Sequence, residues 1–437
     1  MHSFRYRAGK LYCEDVELAQ AANQFGTPLY LYSAGTILDH YTRLDAALAP
    51  LDRLICYAVK ANSNRAILKL LADTGAGFDI VSGGELFRAI NAGADPQKCT
   101  FAGVGKSREE IEYALDQGVC SFNVESEAEL NLIDKIAGTK KLRAPIALRV
   151  NPDVDPHTHK YISTGSHENK FGIALGDAPG TYERAAKMRN IDIVGVQMHI
   201  GSQITEAEPF AGAIRKVAPL VRDLKFKYQI KFFSIGGGMG IIYRRALESG
   251  SGKWWHDHGG ESSAFSVRDY ADAIVPPLRE LGVRILFEPG RFLVGNAGVL
   301  LTRVRYIKNS GTKRFAIVDA GMNDLIRPAL YQSYHQIVPV EKGRGDSPNR
   351  PSAKIDIVGP VCESGDFFAL EREMPELHEG DLLAIMSAGA YGLTMASNYN
   401  SRPLPAEALV RGDKVMLIRK RQTWKDLIAE EIEPAAL

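Results

Sequence analysis

Four groups of residues in this chain have types that could act together in one reaction. Lys60 comes directly after an apolar run, in YAVKAN, and His199 lies near the end of another, in QMHIGSQ. Three glycines, 236–238, follow a third run, and the sequence EPGR at 288–291 ends a fourth. An amine can condense with an aldehyde, an imidazole can stack on a flat ring, and glycine amides can approach a phosphate. The set therefore indicates a site for a phosphorylated, planar molecule that carries a carbonyl group.

Taken singly, each group has a simpler explanation. A lysine at a strand end is usually a solvated tip, and a histidine on an apolar strand is usually a hydrogen-bonded structural residue. Consecutive glycines often form only a turn, and EPGR could be an ion pair beside a tight turn. Only a fold that brings the four strand ends together favours the chemical interpretation.

A regular alternation of apolar strand-like runs and helical segments supplies such a fold. The eight runs are 54–59, 76–81, 99–102, 119–124, 145–150, 192–200, 230–235 and 284–288. Segments with helical periodicity lie between them, and several end in glycine. Eight β-α units within about 250 residues are typical of a closed (β/α)8 barrel, an α/β fold whose strands all end at one mouth. We predict this barrel over residues 36–296. An open doubly wound sheet is the alternative, because strand order cannot be read from a sequence.

The rest of the chain has a different pattern. Beyond residue 297, strand-like runs are separated by Gly, Pro and Asp turns with little helical periodicity. We predict that residues 297–437 form a second, all-β domain, to which strand-like pieces within residues 1–35 contribute. The stretch 246–265 has no clear periodicity, and we predict a surface excursion there, before the last helix of the barrel.

The composition excludes several classes of partner. The 437 residues carry a net charge of +1, from 53 basic and 52 acidic residues, so the overall field favours neither nucleic acid nor an anionic membrane. Five cysteines without a C-x-x-C pair indicate reduced thiols. The sequence has no apolar leader and no run of about 18 apolar residues. We therefore expect a cytoplasmic protein without a membrane span.

One cofactor meets every demand of the four groups. A lysine reacts with an aldehyde only as the free amine, so its neighbours must favour the neutral form. Glu288 can hold a proton on a ring nitrogen, which keeps a pyridine ring electron-withdrawing. His199 can stack on that ring, while the glycines 236–238 and Gly290 bring amides to a phosphate. We predict that the cofactor is pyridoxal 5′-phosphate, bonded to Lys60.

At this point the sequence resembles a known family. YAVKAN, HIGSQ, GGG and EPGR are similar to the motifs of the alanine racemase-like, or fold type III, pyridoxal-phosphate enzymes. GTPLYLYS, DIVSGGELFRAINAG, STGSHENKFGI, DLIRPALY, CESGD and GAYG narrow the resemblance to the diaminopimelate decarboxylases. The motifs cover nearly the whole chain in the family's order. The resemblance implies a homodimeric carboxy-lyase that converts meso-2,6-diaminopimelate into L-lysine and CO2, the last step of lysine biosynthesis.

The resemblance also implies roles for individual residues. Lys60 would be the Schiff-base lysine, His199 the ring-stacking histidine and Cys362 a proton donor, and these three are the predicted catalytic residues. The predicted cofactor contacts are Lys60, His199, Ser202, Gly236, Gly237, Gly238, Glu288, Pro289, Gly290, Arg291 and Tyr391. The predicted substrate contacts are Arg291, Arg327, Tyr331, Glu363 and Tyr391. Cys362 and Glu363 would reach into the neighbouring subunit's site.

The charges of these residues agree with a substrate that has an amino acid group at both ends. A distal carboxylate suits an arginine fork, which Arg291 and Arg327 supply, and a distal ammonium suits the carboxylate of Glu363. Ornithine or lysine carries only an ammonium there and would leave two arginines unmatched. This mismatch disfavours the nearest alternative, a decarboxylase for ornithine, lysine or arginine. An amino acid racemase and a non-enzymatic binding module on the same fold follow it.

Two pairs of histidines are the remaining candidates for chemistry. They are His157-x-His159 and His256-x-His258, both in polar stretches of the sequence. Neighbouring histidines in loops are usually solvated rather than metal ligands. We therefore expect no catalytic metal.

Overall fold

The structure, a computed structural model, describes residues 2–154, 170–258, 265–342 and 352–433. The chain forms two compact units. One contains Met1–Ile37, Ile242–Asp257 and Val294–Leu437, and the other contains Leu38–Ile241 and His258–Leu293. His157, His159 and most of the STGSHENKFGI motif lie outside the described residues.

The N-terminal segment consists mainly of strands. Strands β1 (Phe4–Arg7), β2 (Lys10–Cys13) and β3 (Val16–Glu17) form a small antiparallel sheet. Helix α1 (Leu18–Phe25) leads from this sheet to β4 (Leu29–Ser33), in which every residue is buried. Helix α2 (Ala34–Ala47) follows directly.

Eight parallel strands then close into a barrel. They are β5 (Arg53–Ala58), β6 (Gly77–Ile80), β7 (Cys99–Phe101), β8 (Ser121–Val124), β9 (Ala144–Asn151), β11 (Ile191–Met198), β12 (Phe232–Ser234) and β13 (Arg284–Phe287). Strand β10 (Ile173–Ala174) adds only a short pairing to β9. The sheet is closed because β8 pairs with β9 and β13 pairs with β5, both in parallel. The predicted (β/α)8 barrel is confirmed, and the open doubly wound sheet is wrong.

Helices alternate with the barrel strands, and local sequence fixes where several of them begin. They are α3 (Arg65–Ala72), α4 (Gly83–Asn91), α5 (Arg108–Gln117), α6 (Glu127–Lys140), α7 (Ala178–Ala185), α8 (Glu208–Tyr228), α10 (Val267–Arg279) and α11 (Arg291–Val294). The N-cap side chains of Asn64, Ser82, Ser107, Ser126 and Ser266 each accept a hydrogen bond from an amide of the first turn. Such caps satisfy amides that the helix itself leaves without a partner.

The other unit is built around a long mixed sheet. Its later strands are β14 (Gly298–Ser310), β15 (Lys313–Val318), β16 (Ile337–Pro339), β17 (Ser352–Val358), β18 (Phe367–Pro375), β19 (Leu382–Ile385), β20 (Ala406–Arg411) and β21 (Lys414–Arg419). They run in the order β18-β17-β15-β14-β4-β20-β21, with β19 paired to both β14 and β16. The short helices α12 (Arg327–Tyr331) and α13 (Trp424–Leu427) lie within this part of the chain. Since β4 pairs with both β14 and β20, the predicted contribution of the N-terminal strands to this domain is confirmed.

The stretch 246–265, in which we predicted a surface excursion without clear periodicity, contains helix α9 (Gly252–His258), and residues 259–264 are outside the described part. Trp254 is buried, and the indole of Trp255 donates to the carbonyl of Ser249 at 2.8 Å. A helix of seven residues with two adjacent tryptophans is too short to show a clear 3.6-residue period, which explains why the sequence shows no sign of it.

The lengths and composition of the helices bear on membrane association. In the described ranges, no helix is both long enough and apolar enough to cross a membrane.

The hydroxyl of Tyr182 joins two barrel strands and gives a test of the fold. It accepts from the amide of Leu148 on β9 at 3.1 Å and donates to the carbonyl of Gly195 on β11 at 2.7 Å. The register between these strands shifts at Gly195. Because Tyr182→Phe leaves both buried backbone groups without this partner, we expect a loss of about 1–3 kcal/mol in the free energy of unfolding.

Thermal and urea unfolding of Tyr182→Phe would measure that loss. Tyr306→Phe is the matched control, because Tyr306 is 62% exposed, and it should stay within about 0.5 kcal/mol of wild type. Equal stability of the two variants would contradict the role given to Tyr182.

Candidate active site

Lys60 lies at the carboxyl end of the first barrel strand. It belongs to a 3-10 turn, Val59–Ala61, that directly follows β5. Its Nζ is 2.5 Å from Oδ2 of Asp79, and its side chain is 38% exposed. Asp79 is buried on the neighbouring strand β6, where it lies opposite Ala58. The sequence predicted the amine but missed the acid, because Asp79 is a single polar residue within an apolar run.

The barrel mouth contains a second buried acid, Glu288, which follows β13. One carboxylate oxygen accepts from the hydroxyl of Ser234 at 2.6 Å, and the other accepts from the amide of Gln197 at 3.0 Å. Burial, followed by the negative charge of Asp79, raises the pKa of Glu288 to about 7. Ser234 and Gln197 come from strands β12 and β11, and sequence reasoning missed both. Their polar types inside apolar runs were the signal that could have found them.

His199 follows β11 and is held by the glycine-rich loop. Its Nδ1 accepts a hydrogen bond from the amide of Gly237 at 3.2 Å, which places the proton of a neutral ring on Nε2. Burial lowers the pKa of His199 well below its usual value, and the positive charges of Arg149 and Lys60 lower it further. The ring is therefore neutral at physiological pH, which suits stacking on an aromatic molecule.

The three glycines after β12 are required by close backbone contacts. Gly236 has φ +71°, and a Cβ there would lie 2.5 Å from the carbonyl oxygen of Met198. Gly238 has φ +107°, and its Cβ would lie 2.5 Å from the carbonyl oxygen of Gly201. L-residues with side chains rarely adopt such positive φ values, so the loop excludes them on two grounds. The amide of Gly236 donates to the Ser234 hydroxyl at 3.3 Å, so it already has an acceptor within the barrel.

The EPGR segment closes the ring of strand ends. The carbonyl of Pro289 accepts from the amide of Ala58 at 3.1 Å, which ties β13 to β5. The carbonyl of Gly290 accepts from the amide of Leu293 at 3.1 Å as α11 begins. Arg291, the first residue of α11, is buried, and its Nη2 donates to the hydroxyl of Ser202 at 3.0 Å. The predicted cofactor contacts of this segment therefore lie next to those of Lys60 and His199.

A buried ion pair supports the strand ends on the opposite side of the barrel. Arg149 on β9 donates to Glu125 after β8 at 2.8 Å, and both side chains are less than a tenth exposed. Glu125 also accepts from the amides of Gly103 at 3.2 Å and Gly172 at 2.8 Å. The carboxylate of this pair is thus hydrogen-bonded beyond its arginine, which offsets part of the cost of burying it in the low-dielectric interior. Sequence reasoning missed Arg149 and Glu125.

The other predicted substrate residues lie in the unit that contains the mixed sheet. Arg327, the first residue of α12, is buried and donates to the hydroxyl of Ser333 at 3.2 Å. Its guanidinium carbon lies 5.8 Å from the ring centroid of Tyr331 and 5.4 Å from that of Tyr243. These two rings provide cation–π contacts that orient the guanidinium. Tyr243 was not predicted.

Cys362, Glu363 and Tyr391 lie elsewhere in the same unit. Cys362 is exposed, unlike the other four free cysteines of the chain. The amide of Cys362 donates to Oδ1 of Asn400 at 3.0 Å, and Glu363 accepts from the hydroxyl of Tyr399 at 2.8 Å. Tyr391 is half-buried and has φ +54°, a strained conformation for a non-glycine residue.

The barrel mouth has features that fit a pyridoxal phosphate cofactor. Two buried oxygens, Oδ1 of Asp79 and Oε1 of Gln197, have no hydrogen-bond partner in the described ranges and can accept from a bound group. The amine of Lys60, the neutral imidazole of His199 and the buried carboxyl of Glu288 lie at the ends of the same barrel strands or their neighbours. The donor set thus agrees with the cofactor that the sequence predicted.

Comparison with known proteins adds an independent line of evidence. The sequence profile of the pyridoxal-dependent decarboxylases, pyridoxal-binding domain, matches residues 34–295. The chain is 46% identical to the diaminopimelate decarboxylase of Aquifex aeolicus over 429 residues, 98% of this chain and 97% of the relative. It is 48% identical to that of Pseudomonas aeruginosa over 432 residues, 99% of each. The solved diaminopimelate decarboxylase of Helicobacter pylori, complexed with L-lysine, is 41% identical with a TM-score of 0.86, over 95% of this chain and 99% of that one.

The raised pKa of Glu288 predicts how the stability of the cofactor-free protein depends on pH. An acid whose pKa rises from 4.5 to about 7 on folding binds more protons in the folded state than in the unfolded state. Its contribution to the free energy of unfolding is therefore full at low pH and is lost as pH rises. From pH 5 to pH 7 this group should lower the free energy of unfolding by about 2 kcal/mol, with little change above pH 7.

Glu288→Gln carries no charge at any pH and isolates this effect. Burial also raises the pKa of Glu85 and of Asp324 to about 7, so wild type and Glu288→Gln should both lose stability as pH rises. The loss should be smaller in Glu288→Gln. Calorimetric Tm values at pH 5 and pH 7 would measure the difference. Parallel pH profiles for the two proteins would contradict the buried, partly protonated Glu288.

Proposed function

The chain belongs to the diaminopimelate decarboxylases, a family of pyridoxal-dependent carboxy-lyases, and on that premise we propose how its own residues decarboxylate meso-2,6-diaminopimelate to L-lysine and CO2. The observation that carries the proposal is the convergence of Lys60, Asp79, His199 and Glu288 at the barrel mouth. It is supported by the Helicobacter pylori relative, whose solved complex contains L-lysine, the expected product.

Lys60 is the residue that bonds the cofactor aldehyde. When bound, pyridoxal phosphate supplies an electron-withdrawing ring conjugated to the amino group of the substrate. Asp79 accepts from the Lys60 ammonium at 2.5 Å and so fixes the position of the amine at the mouth. Attack on an aldehyde requires the free amine, so Lys60 would have to lose its proton before it reacts.

Glu288 is placed to control the charge of the ring nitrogen. Its carboxyl is buried and held by Ser234 and Gln197, so its position is fixed before any cofactor binds. With a pKa of about 7, it can share a proton with a heteroaromatic nitrogen of similar basicity. Holding a proton there strengthens electron withdrawal from the bond to the departing carboxylate.

His199 and the loops hold the rest of the cofactor. The neutral imidazole of His199 would pack against the ring of a bound cofactor without adding a positive charge beside it. The loop contacts to the cofactor are assigned to Ser202, Gly236, Gly237, Gly238 and Gly290, although the amides of Gly236 and Gly237 donate to Ser234 and His199 rather than to a phosphate. Pro289 and Arg291 are positioned by the same turn. Tyr391 is assigned to the same set. This assignment is supported by the turn at 288–291 and by the Arg291–Ser202 hydrogen bond.

The distal end of the substrate is recognised by charge. Arg327 is buried, packed against Tyr331 and oriented by Ser333, which suits it to bind a carboxylate in a fixed geometry. Arg291 supplies a second cation for the same group, and Glu363 binds the distal ammonium. Tyr391 and Tyr331 line this end. A substrate without a distal carboxylate would leave these cations unmatched.

Cys362 donates the proton that replaces CO2. Its S–H bond breaks as a C–H bond forms at the carbon that lost the carboxylate, and solvent then reprotonates the thiolate. The exposure of the thiol is consistent with access to a substrate. We assign Cys362 and Glu363 to the neighbouring subunit's site in a homodimer, and we place the enzyme in the cytoplasm, which agrees with five free thiols.

Substrate discrimination tests the proposal. The purified protein should release CO2 from meso-diaminopimelate and give L-lysine, with much slower release from lysine, ornithine or arginine. Arg327→Gln should raise KM for diaminopimelate about 10- to 100-fold, because it removes one charged hydrogen-bonded contact, while kcat changes less.

Chiral chromatography of the same reactions would detect a racemase. Recovery of epimerised diaminopimelate without CO2 would contradict decarboxylation. Equal CO2 release from ornithine and diaminopimelate, or an Arg327→Gln variant with unchanged KM, would contradict the assigned distal site. Arg305→Gln is a control of the same type, since Arg305 is a 58% exposed arginine of the same unit.

A further inference from the structure

One turn contacts both Cys362, the assigned proton donor, and Glu363, the assigned ligand of the distal ammonium. The turn is the 3-10 segment Tyr399–Ser401. Asn400 accepts from the backbone amide of Cys362 at 3.0 Å through Oδ1, and the Tyr399 hydroxyl donates to Oε2 of Glu363 at 2.8 Å. These contacts join residues that are 38 and 36 positions apart in the chain.

Several other amides of the loop that carries Cys362 also have acceptors. It lies between β17 and β18, and Asp366 accepts from the amide of Val361 at 2.6 Å and from that of Met322 at 2.6 Å. The amide of Glu363 donates to the carbonyl of Val361 at 2.8 Å. Asn400 therefore supplies the acceptor for the loop amide that belongs to Cys362 itself.

The turn that carries Asn400 is itself anchored to the sheet domain. Asn398 donates to the carbonyl of Arg402 at 2.9 Å and to the side chain of Gln422 at 2.7 Å. Arg402 donates to the backbone carbonyl of Asp319 at 2.8 Å. A fixed turn can hold the Cys362 loop in one position, whereas a mobile turn could not.

Position 400 has two requirements that few residues meet together. Its backbone is left-handed, with φ 55° and ψ 29°, a conformation that glycine, asparagine and aspartate adopt most readily. Its side chain must also present an oxygen acceptor to an amide. Asparagine and aspartate meet both requirements, whereas glycine meets only the first.

From this geometry we infer that Asn400 is a positioning residue, which fixes the direction of the Cys362 thiol and so the face from which the substrate carbon is protonated. The inference rests on the proposed role of Cys362 as proton donor. Asn400 touches no reacting atom in this account. Tyr399 acts in parallel on Glu363, and so on the binding of the distal ammonium.

Three variants of the full-length holoenzyme separate these roles. Asn400→Gly keeps the left-handed backbone and removes the acceptor, Asn400→Asp keeps both, and Tyr399→Phe removes only the hydrogen bond to Glu363. We expect Asn400→Gly to lower kcat about fivefold to tenfold with little change in KM, because one hydrogen bond is lost. Asn400→Asp should restore kcat, and Tyr399→Phe should raise KM instead.

The product made in D2O reports the position of the thiol directly. Wild-type enzyme should place deuterium in one configuration at the new methylene carbon of lysine, and Asn400→Gly should give a mixture that NMR can quantify. A general loss of stability would lower the yield without mixing the configurations. A single configuration in Asn400→Gly, with kcat unchanged, would overturn the inference.

Amide hydrogen exchange tests the contact without relying on catalysis. Residues 359–366 should exchange faster in Asn400→Gly than in wild type or Asn400→Asp, while strand β18 exchanges at the same rate in all three. Unchanged exchange in that loop would show that Asn400 does not hold it. Cys362→Ser separates the proposed role of Cys362 from the role of Asn400. A Cys362→Ser variant with normal kcat and configuration would refute the proton-donor role, and the exchange result would still decide whether Asn400 holds the loop.

Discussion

The pairing of the last barrel strand with the first is the constraint on which the candidate site depends. β13 pairs with β5 over three residues in parallel, and the carbonyl of Pro289 accepts from the amide of Ala58 just beyond them. Residues 58 and 289 are far apart in the chain, yet this closure places Lys60 and Glu288 at one mouth. In a sheet opened between these two strands, Lys60 would keep Asp79 on the neighbouring strand β6 but would have neither Glu288 nor His199 near it.

Closure also determines the electrostatics of the mouth. Asp79, Glu288, Glu125 and Arg149 are all buried at strand ends, where charges interact strongly and desolvation is costly. The consequences differ by residue, since burial keeps His199 neutral and leaves Glu288 able to hold a proton near pH 7. Each charge has a partner from a different strand, so the site needs the whole barrel and not one local motif. This arrangement is ready to receive a cofactor that carries both a basic nitrogen and an aldehyde.

Sequence alone predicted the parts of this site that interrupt an apolar pattern at a strand end. Lys60, His199 and EPGR were recognisable because each ends a run of buried residues, and the order of runs and helices predicted the barrel. Asp79, Gln197 and Ser234 were missed because each is a single polar residue inside such a run. The sequence does not show which side of the sheet such a side chain faces. Asn400 was missed because its partner is 38 residues away and the contact is to a backbone amide. Helix α9 was missed because seven residues are too few to show a period.

The most direct test of the account is to locate the covalent bond between protein and cofactor. Reduction of the holoenzyme with borohydride fixes the cofactor to the amine that carries it, and mass spectrometry of the peptides then identifies the labelled lysine. We expect one pyridoxyl group per chain on Lys60 and none on Lys106, a lysine that is buried in the same barrel and ion-paired with Glu129. A label on any other lysine, or a holoenzyme that carries no reducible cofactor, would contradict this expectation.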